Sequence, residues 1–209
     1  MNYQSIYHKF FIVKEVIKKE GVISFFQYFF NSIYLKRFFN LYTYNLINGD
    51  IDICDRGSIK VEKNNFELLL QSRNVSECSS INFYYDVIDN CRDFYILSFI
   101  DGGCRYLASI CWVYDNSLYN KILCLSNNVV ELKHLYTVDR YRGCGYSSIL
   151  IRYILSDLKL QGYDSVVAIV ESNNAASNIV FKKKCNFSLI KTVILYKILF
   201  FTISKKYNF

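Results

Sequence analysis

A β-branched segment, a glycine turn and an amphipathic segment follow one another without a break between residues 129 and 160, and that succession constrains the chain more than anything else in it. Residues 129–138 (VVELKHLYTV) carry the β-branched and apolar character of a strand. Arg142-Gly143-Cys144-Gly145-Tyr146-Ser147 follows, and residues 148–160 then repeat Ile149, Leu150, Tyr153, Ile154 and Leu158 at helical spacing. Glycines allow successive backbone N–H groups to turn toward one point, and a helix N-terminus adds partial positive charge. The segment therefore predicts a strand, an anion-binding turn and a helix. In isolation, a G-x-G turn is more often a tight connection that holds nothing.

A second apolar strand is expected at 165–170, ending in Glu171-Ser172-Asn173-Asn174-Ala175-Ala176, with a short helix over 175–183 and a turn at Cys185-Asn186-Phe187. This order of motifs resembles the GNAT acyltransferases, over residues 94 to about 196. Their pattern is a strand, (Gln/Arg)-x-x-Gly-x-(Gly/Ala) opening a helix, a strand ending in Asn, and a helix closed by Lys-x-Gly-Phe. Arg142, Gly145 and Ser147 fill the three marked positions, Asn174 or Asn173 the asparagine, and Lys184-Cys185-Asn186-Phe187 the closing motif. A second register, Arg140-x-x-Gly143-x-Gly145, also fits. The first puts Ile149-Leu150-Ile151 where the family's helix has its buried aliphatics.

The departures from the pattern are specific. Ser147 replaces a smaller residue, and Asn186 replaces the glycine of the closing motif. The stretch from Ser177 to Phe187 is about one residue longer than usual. Phe181 stands nearest the place where many members carry a tyrosine that reprotonates the departing thiolate, and a phenyl ring donates no proton.

The resemblance implies an α/β (α+β) fold with a mixed, mostly antiparallel central sheet flanked by helices. It implies an acetyl-CoA-dependent N-acetyltransferase acting by direct transfer to a primary amine of a small molecule, amino sugar or protein. Arg142, Gly143, Cys144, Gly145, Tyr146 and Ser147 would hold the cofactor's pyrophosphate, a backbone N–H at Thr137 or Val138 would polarise the thioester carbonyl, and Asn174 would bond the cofactor's amide groups. Glu131 lies within about two residues of the catalytic glutamate of the histone-acetylating branch and is the expected base. His134 is its rival, and strand alternation would put the two on opposite sides. Tyr196 is the only residue offered as the acid. No metal is expected. Two other readings stand beside this one: a degenerate acyltransferase fold serving as a binding or assembly module, and a membrane-peripheral acyltransferase on a lipid-linked acceptor.

Net charge is +7, with 52% hydrophobic and 21% charged residues, which argues against disorder and suits a polyanionic ligand. It would equally suit nucleic acid, but the lysines form no stripe and no recognised module, so nucleic acid is not an expected partner. Eight cysteines are scattered without C-x-x-C spacing or paired histidines, pointing to reduced thiols in the cytoplasm rather than zinc or disulfides. Residues 1–49 are expected as an aromatic, basic helical extension, with helices over 5–19 and 23–40, that caps the domain, dimerises it or touches membrane peripherally; no stretch of it is long and apolar enough to span a bilayer. Asn48-Gly49-Asp50 marks the boundary to a domain over 50–209. There a strand is expected at 58–63, helices at 65–71 and 81–88, a hairpin about Asp101-Gly102-Gly103, and a closing pair of strands over 187–204. The protein is expected as a monomer or homodimer.

Overall fold

The computed structural model describes residues 34–51, 58–74, 81–88, 91, 93–115, 123–198, 201–203 and 207–208. The described residues fall into two compact units, one within Phe39–Thr192 and Lys206–Phe209, the other within Met1–Phe38 and Val193–Lys205.

The larger unit is built on a sheet. Its strands are β1 (Tyr34–Asn45), β2 (Ile59–Lys63), β3 (Phe94–Asp101), β4 (Cys104–Tyr114), β6 (Val129–Thr137), β7 (Ser165–Glu171) and β8 (Ser188–Ile198), where β1 and β8 contribute residues 39–45 and 188–192. They lie in the order β2-β3-β4-β6-β7-β1-β8. β6 and β7 pair in parallel, whereas β2 with β3, β3 with β4, β4 with β6 and β1 with β7 pair antiparallel. Two short strands, β5 (Leu123–Cys124) and β10 (Tyr207–Asn208), form a separate parallel pair. The mixed, mostly antiparallel sheet is the one expected.

Local chemistry explains the elements. Asp101 pairs with Cys104 across Gly102 and Gly103, whose φ of +56° and +78° meet the demand of a two-residue hairpin for two left-handed residues. Helix α1 (Phe66–Arg73) starts on Asn65, whose side chain accepts from Leu68 N–H at 2.9 Å. A 3₁₀ turn (Ile81–Phe83) and helix α2 (Tyr85–Ile88) follow. Parallel pairing of β6 with β7 requires a crossover, and helix α3 (Tyr146–Leu160) supplies it. Its end is fixed by Gly162 at φ +86°, with Tyr163 N–H bonding Leu158 O at 3.2 Å and Gly162 N–H bonding Lys159 O at 3.1 Å.

Helix α4 (Ala175–Ile179) runs on into a π-helical turn (Val180–Lys184), where Cys185 N–H bonds Val180 O at 2.9 Å. A π turn accommodates one additional residue, which accounts for the extra length noted between Ser177 and Phe187. Asn186 takes the left-handed conformation that glycine serves in the family pattern, at φ +56°.

The sheet is packed on both faces. Leu150, Ile151, Ile154, Leu155 and Leu158 of α3 meet Leu97, Val130, Leu132, Val166 and Ala168, together with Phe181 and Phe187. On the other face Leu68, Leu69 and Phe83 meet Phe94, Ile96, Ile110, Trp112 and Tyr114.

In the smaller unit β8 pairs with β9 (Phe201–Ile203) through Tyr196↔Ile203, the closing pair that was expected. One expectation is overturned in part. Residues 34–40, assigned to a second N-terminal helix, are strand, and β1 carries on to Asn45. Tyr34-Leu35 and Phe38-Phe39 stand four apart about Lys36-Arg37, a spacing that reads as helical rather than alternating, and only at Leu41 and Tyr42 is the strand buried on both sides. The expected helix over 5–19 lies outside the described residues.

Candidate active site

Gly143 and Gly145 both sit at φ +83°, and Gly145 caps α3 in the left-handed conformation. Two such residues bracketing Cys144 curl the backbone so that consecutive N–H groups point outward from the helix end. Arg142 N–H bonds Asp139 O, and Ser148 and Ile149 N–H bond Gly145 O. Among the described residues no hydrogen bond is recorded for the five N–H groups between, those of Gly143, Cys144, Gly145, Tyr146 and Ser147. A Cβ at Gly143 would meet nothing within 4 Å, and one at Gly145 only Ser148 Oγ at 3.9 Å, so the approach to the backbone is open. The donor set, with the dipole of a four-turn helix behind it, fits a pyrophosphate. Arg142 itself folds back: its Nη2 lies 2.7 Å from Asp139 Oδ1 and its Nε donates to Thr137 O at 3.4 Å. Tyr146 stacks on Phe99, with ring centroids 5.9 Å apart, and thereby fixes the first residue of the helix.

Upstream of the loop, β6 divides into two halves. Val129, Val130, Glu131 and Leu132 pair with residues 165–168 of β7, and among the described residues no later pair between these strands is recorded. Beyond Leu132 the edge of β6 toward β7 opens, while the other edge stays on β4. Along that second edge Ile110 pairs with Tyr136 and Trp112 with Lys133, two steps on β4 against three on β6. The surplus residue is a β-bulge, and His134 occupies it at φ +52°. Val138 N–H donates to Ala108 O at 2.9 Å. Successive peptide groups of a strand alternate in direction, so the Thr137 N–H is turned to the opened edge. Of the two amides expected to meet the carbonyl, Val138's is thus spent inside the sheet and Thr137's faces the cleft.

The bulge also corrects the alternation argument. Glu131 lies opposite Tyr114 on β4, the Lys133 amine is 4.6 Å from the centre of the Tyr114 ring, and His134 meets the same ring edge-on at 5.9 Å. A bulge puts its two residues on one side, so Glu131, Lys133 and His134 share a face. Glu131 is 2% exposed, with Oε2 3.1 Å from Lys133 Nζ. Burial raises its pKa above the ordinary carboxylate value, and the charge and hydrogen bond of Lys133 act against that shift. His134 stacks on Tyr85, with ring centroids 3.4 Å apart. Burial, seconded by the Lys133 charge, lowers its pKa to about 3, so the imidazole stays neutral at physiological pH and is a poor base.

Asn174 caps α4, its side chain accepting from Ser177 N–H at 3.1 Å. Phe181 is 3% exposed, parallel to Tyr42 at 6.3 Å and edge-on to Phe187 at 5.1 Å, a core residue. Tyr196 belongs to the smaller unit, where the Lys36 amine lies 5.8 Å from its ring centre. Two residues not anticipated from sequence belong to this region. Lys133, two positions from Glu131, carries a signal that was available, since i and i+2 on a strand share a face. Asn178 carries none: the partners of its side-chain oxygen lie 136 and 138 residues away, at Tyr42 and Asn40.

The sequence model of the Acetyltransferase (GNAT) family matches residues 66–187. No protein of curated function matched the sequence. Among solved structures, a GNAT-family protein from Novosphingobium aromaticivorans is 14% identical over 77% of this chain and 63% of its own, with a TM-score of 0.53. A GCN5-related N-acetyltransferase from Sphaerobacter thermophilus is 9% identical over 91% of this chain and 59% of its own, TM-score 0.56. A glucosamine N-acetyltransferase region of a fungal multi-domain β-N-acetylglucosaminidase is 12% identical over 81% of this chain and 22% of that one, TM-score 0.54. This chain therefore spans less than two thirds of each of those structures, and at such identities the likeness is one of fold. The glycine loop, the opened β6 edge and the π-extended last helix all lie inside the matched segment, and the chain belongs to the GNAT acetyltransferase family.

Proposed function

We propose that the protein is an acetyl-CoA-dependent N-acetyltransferase that moves an acetyl group directly to a primary amine. The observation that carries this reading is the run of five consecutive N–H groups from Gly143 to Ser147, held by two left-handed glycines at the N-terminus of a fifteen-residue helix. Bound acetyl-CoA supplies an activated acetyl thioester. The loop N–H groups hold its pyrophosphate. Thr137 N–H, on the opened edge of β6, donates to the carbonyl oxygen as negative charge builds on it. Glu131 accepts the proton that the acceptor amine must lose, since an ammonium has no lone pair. Lys133 favours the ionised form of Glu131 that this role needs, and its side chain is the more exposed of the pair, at 20% against 3%. Phe181 offers no proton to the leaving thiolate, so the thiolate takes its proton from solvent or departs as the anion. The acceptor class stays as broad as amino sugars, other small amines and protein amines. A cytoplasmic location belongs to the same reading, supported by six free cysteines among the described residues, and no described helix is long and apolar enough to cross a membrane.

The direct test is thiol release from acetyl-CoA in the presence of a panel of primary amines. Amine-dependent release that Glu131→Gln abolishes is the expected result. Tight acetyl-CoA binding with no release for any amine would favour a binding module over an enzyme.

A further inference from the structure

The wall of the cleft opposite β6 is the last part of β7. Residues 169–171 lie beyond the final pair with β6, and they are backed by β1 through Leu41↔Ile169, Asn40↔Val170 and Phe39↔Glu171. The chain then turns through Ser172, Asn173 and Asn174 into α4. Asn178 makes most of the bonds that tie this turn to β1, beside a direct bond from Ser172 to Asn40. Asn178 Nδ2 donates to Glu171 O at 3.0 Å, Asn174 O at 2.7 Å and Ser172 O at 3.4 Å. Its Oδ1 accepts from Tyr42 OH at 2.8 Å and Asn40 Nδ2 at 2.9 Å. Asn40 Oδ1 in turn accepts from Thr192 Oγ1 at 2.9 Å and Ser172 Oγ at 3.2 Å.

Packing alone would be served by an apolar residue at this half-buried place. A saturated amide does what an apolar residue cannot: it fixes the spacing and orientation of the groups it joins. We infer that Asn178 is a positioning residue of the active site, holding the end of β7 and the β7–α4 turn at the separation from β6 that the acetyl-CoA cleft requires. The inference rests on the proposed function. Its tie is divided by chemistry, because the oxygen holds β1 and the nitrogen holds the turn.

Asn178→Asp keeps the acceptor for Tyr42 and Asn40 and removes the donors to the turn. Tyr42→Phe removes one bond to β1 and none to the turn. Kinetics, with calorimetric titration of acetyl-CoA and thermal melts, separate the roles. The expected result for Asn178→Asp is a KM and Kd for acetyl-CoA raised ~10-fold, with the acceptor's KM unchanged. Tyr42→Phe is expected to lower the melting temperature while leaving both constants within about twofold. Equal acetyl-CoA affinity in wild type and Asn178→Asp would overturn the inference and leave the proposed function standing. An affinity lost in proportion to melting temperature in both variants would also overturn it, as a structural role only. Wild type that binds no acetyl-CoA would remove the proposed function, and the inference with it.

Discussion

The glycine loop at 143–147 and the bulge at Lys133 and His134 lie along one continuous run of chain, yet in the proposed reaction they would act by different means. The loop works through backbone N–H groups, and the side chains of Gly143 and Gly145 matter only by being absent. The bulge works through side chains whose properties depend on what surrounds them: a buried carboxylate, an amine 3.1 Å away and an imidazole stacked on Tyr85. A backbone device is specified locally, by residues that tolerate φ near +80°. A side-chain device is specified by the register of neighbouring strands, and a shift of one residue changes which groups meet. The two regions should therefore fail differently when altered: the loop in cofactor affinity, the bulge in turnover and pH dependence.

The sharpest way to break that contrast is Glu131→Gln. It should lower kcat by ~100-fold or more, the usual loss for a positioned general base, and leave acetyl-CoA affinity unchanged. Because burial raises the carboxyl's pKa above its unfolded value, the charged form is disfavoured by folding. The substitution should then raise the melting temperature at neutral pH, and the gain should shrink as pH falls through the carboxylate range. A loss of acetyl-CoA binding in this variant would mean that the two regions are not separable.

Lys133→Met is gentler. Lys133 is the group that lowers the Glu131 pKa, so its removal should raise that pKa further and move the acidic limb of kcat/KM to higher pH. Unchanged acidic limbs in wild type and variant would take Glu131 out of the base role. A smaller effect is expected at His134, whose pKa falls to about 3 in the folded protein from an ordinary value of 6.5. A depressed histidine pKa contributes stability that is complete above 6.5 and declines as pH falls toward 3. Melting temperature against pH should lose that part of its acid slope in His134→Asn, where asparagine also accepts the left-handed backbone. Turnover at neutral pH should change little, since a neutral imidazole of so low a pKa is not the base.

The same contrast explains what could be read from the chain. The loop, the β3–β4 hairpin and α3 were legible because each is fixed by residues adjacent in sequence. Gly102 and Gly103 dictate their turn, and Leu150, Ile151, Ile154 and Leu158 mark one helix face. The extra residue before Phe187 was legible as a count, though its form, a π turn, was not. The strand at 34–45 was hidden because its first part sets apolar pairs four apart about Lys36-Arg37, which mimics a helix. The bulge was hidden because nothing local in Leu-Lys-His-Leu announces it, so Glu131 and His134 were assigned opposite faces that they do not occupy. Asn178 was hidden because the half of its bonding that ties the turn to β1 goes to Asn40 and Tyr42, which are distant in sequence.

Whether the loop binds the pyrophosphate of acetyl-CoA is decided by calorimetric titration of acetyl-CoA into wild type, Gly145→Glu and Gly145→Asn. Asparagine accepts the left-handed conformation that Gly145 holds, whereas glutamate adds bulk and a negative charge beside the N–H groups. Saturable binding to wild type, weakened binding to the asparagine variant and none to the glutamate variant are expected, all three melting cooperatively. Folded wild type that gives no heat of binding, or a glutamate variant that binds as well as wild type, would contradict pyrophosphate binding by the loop.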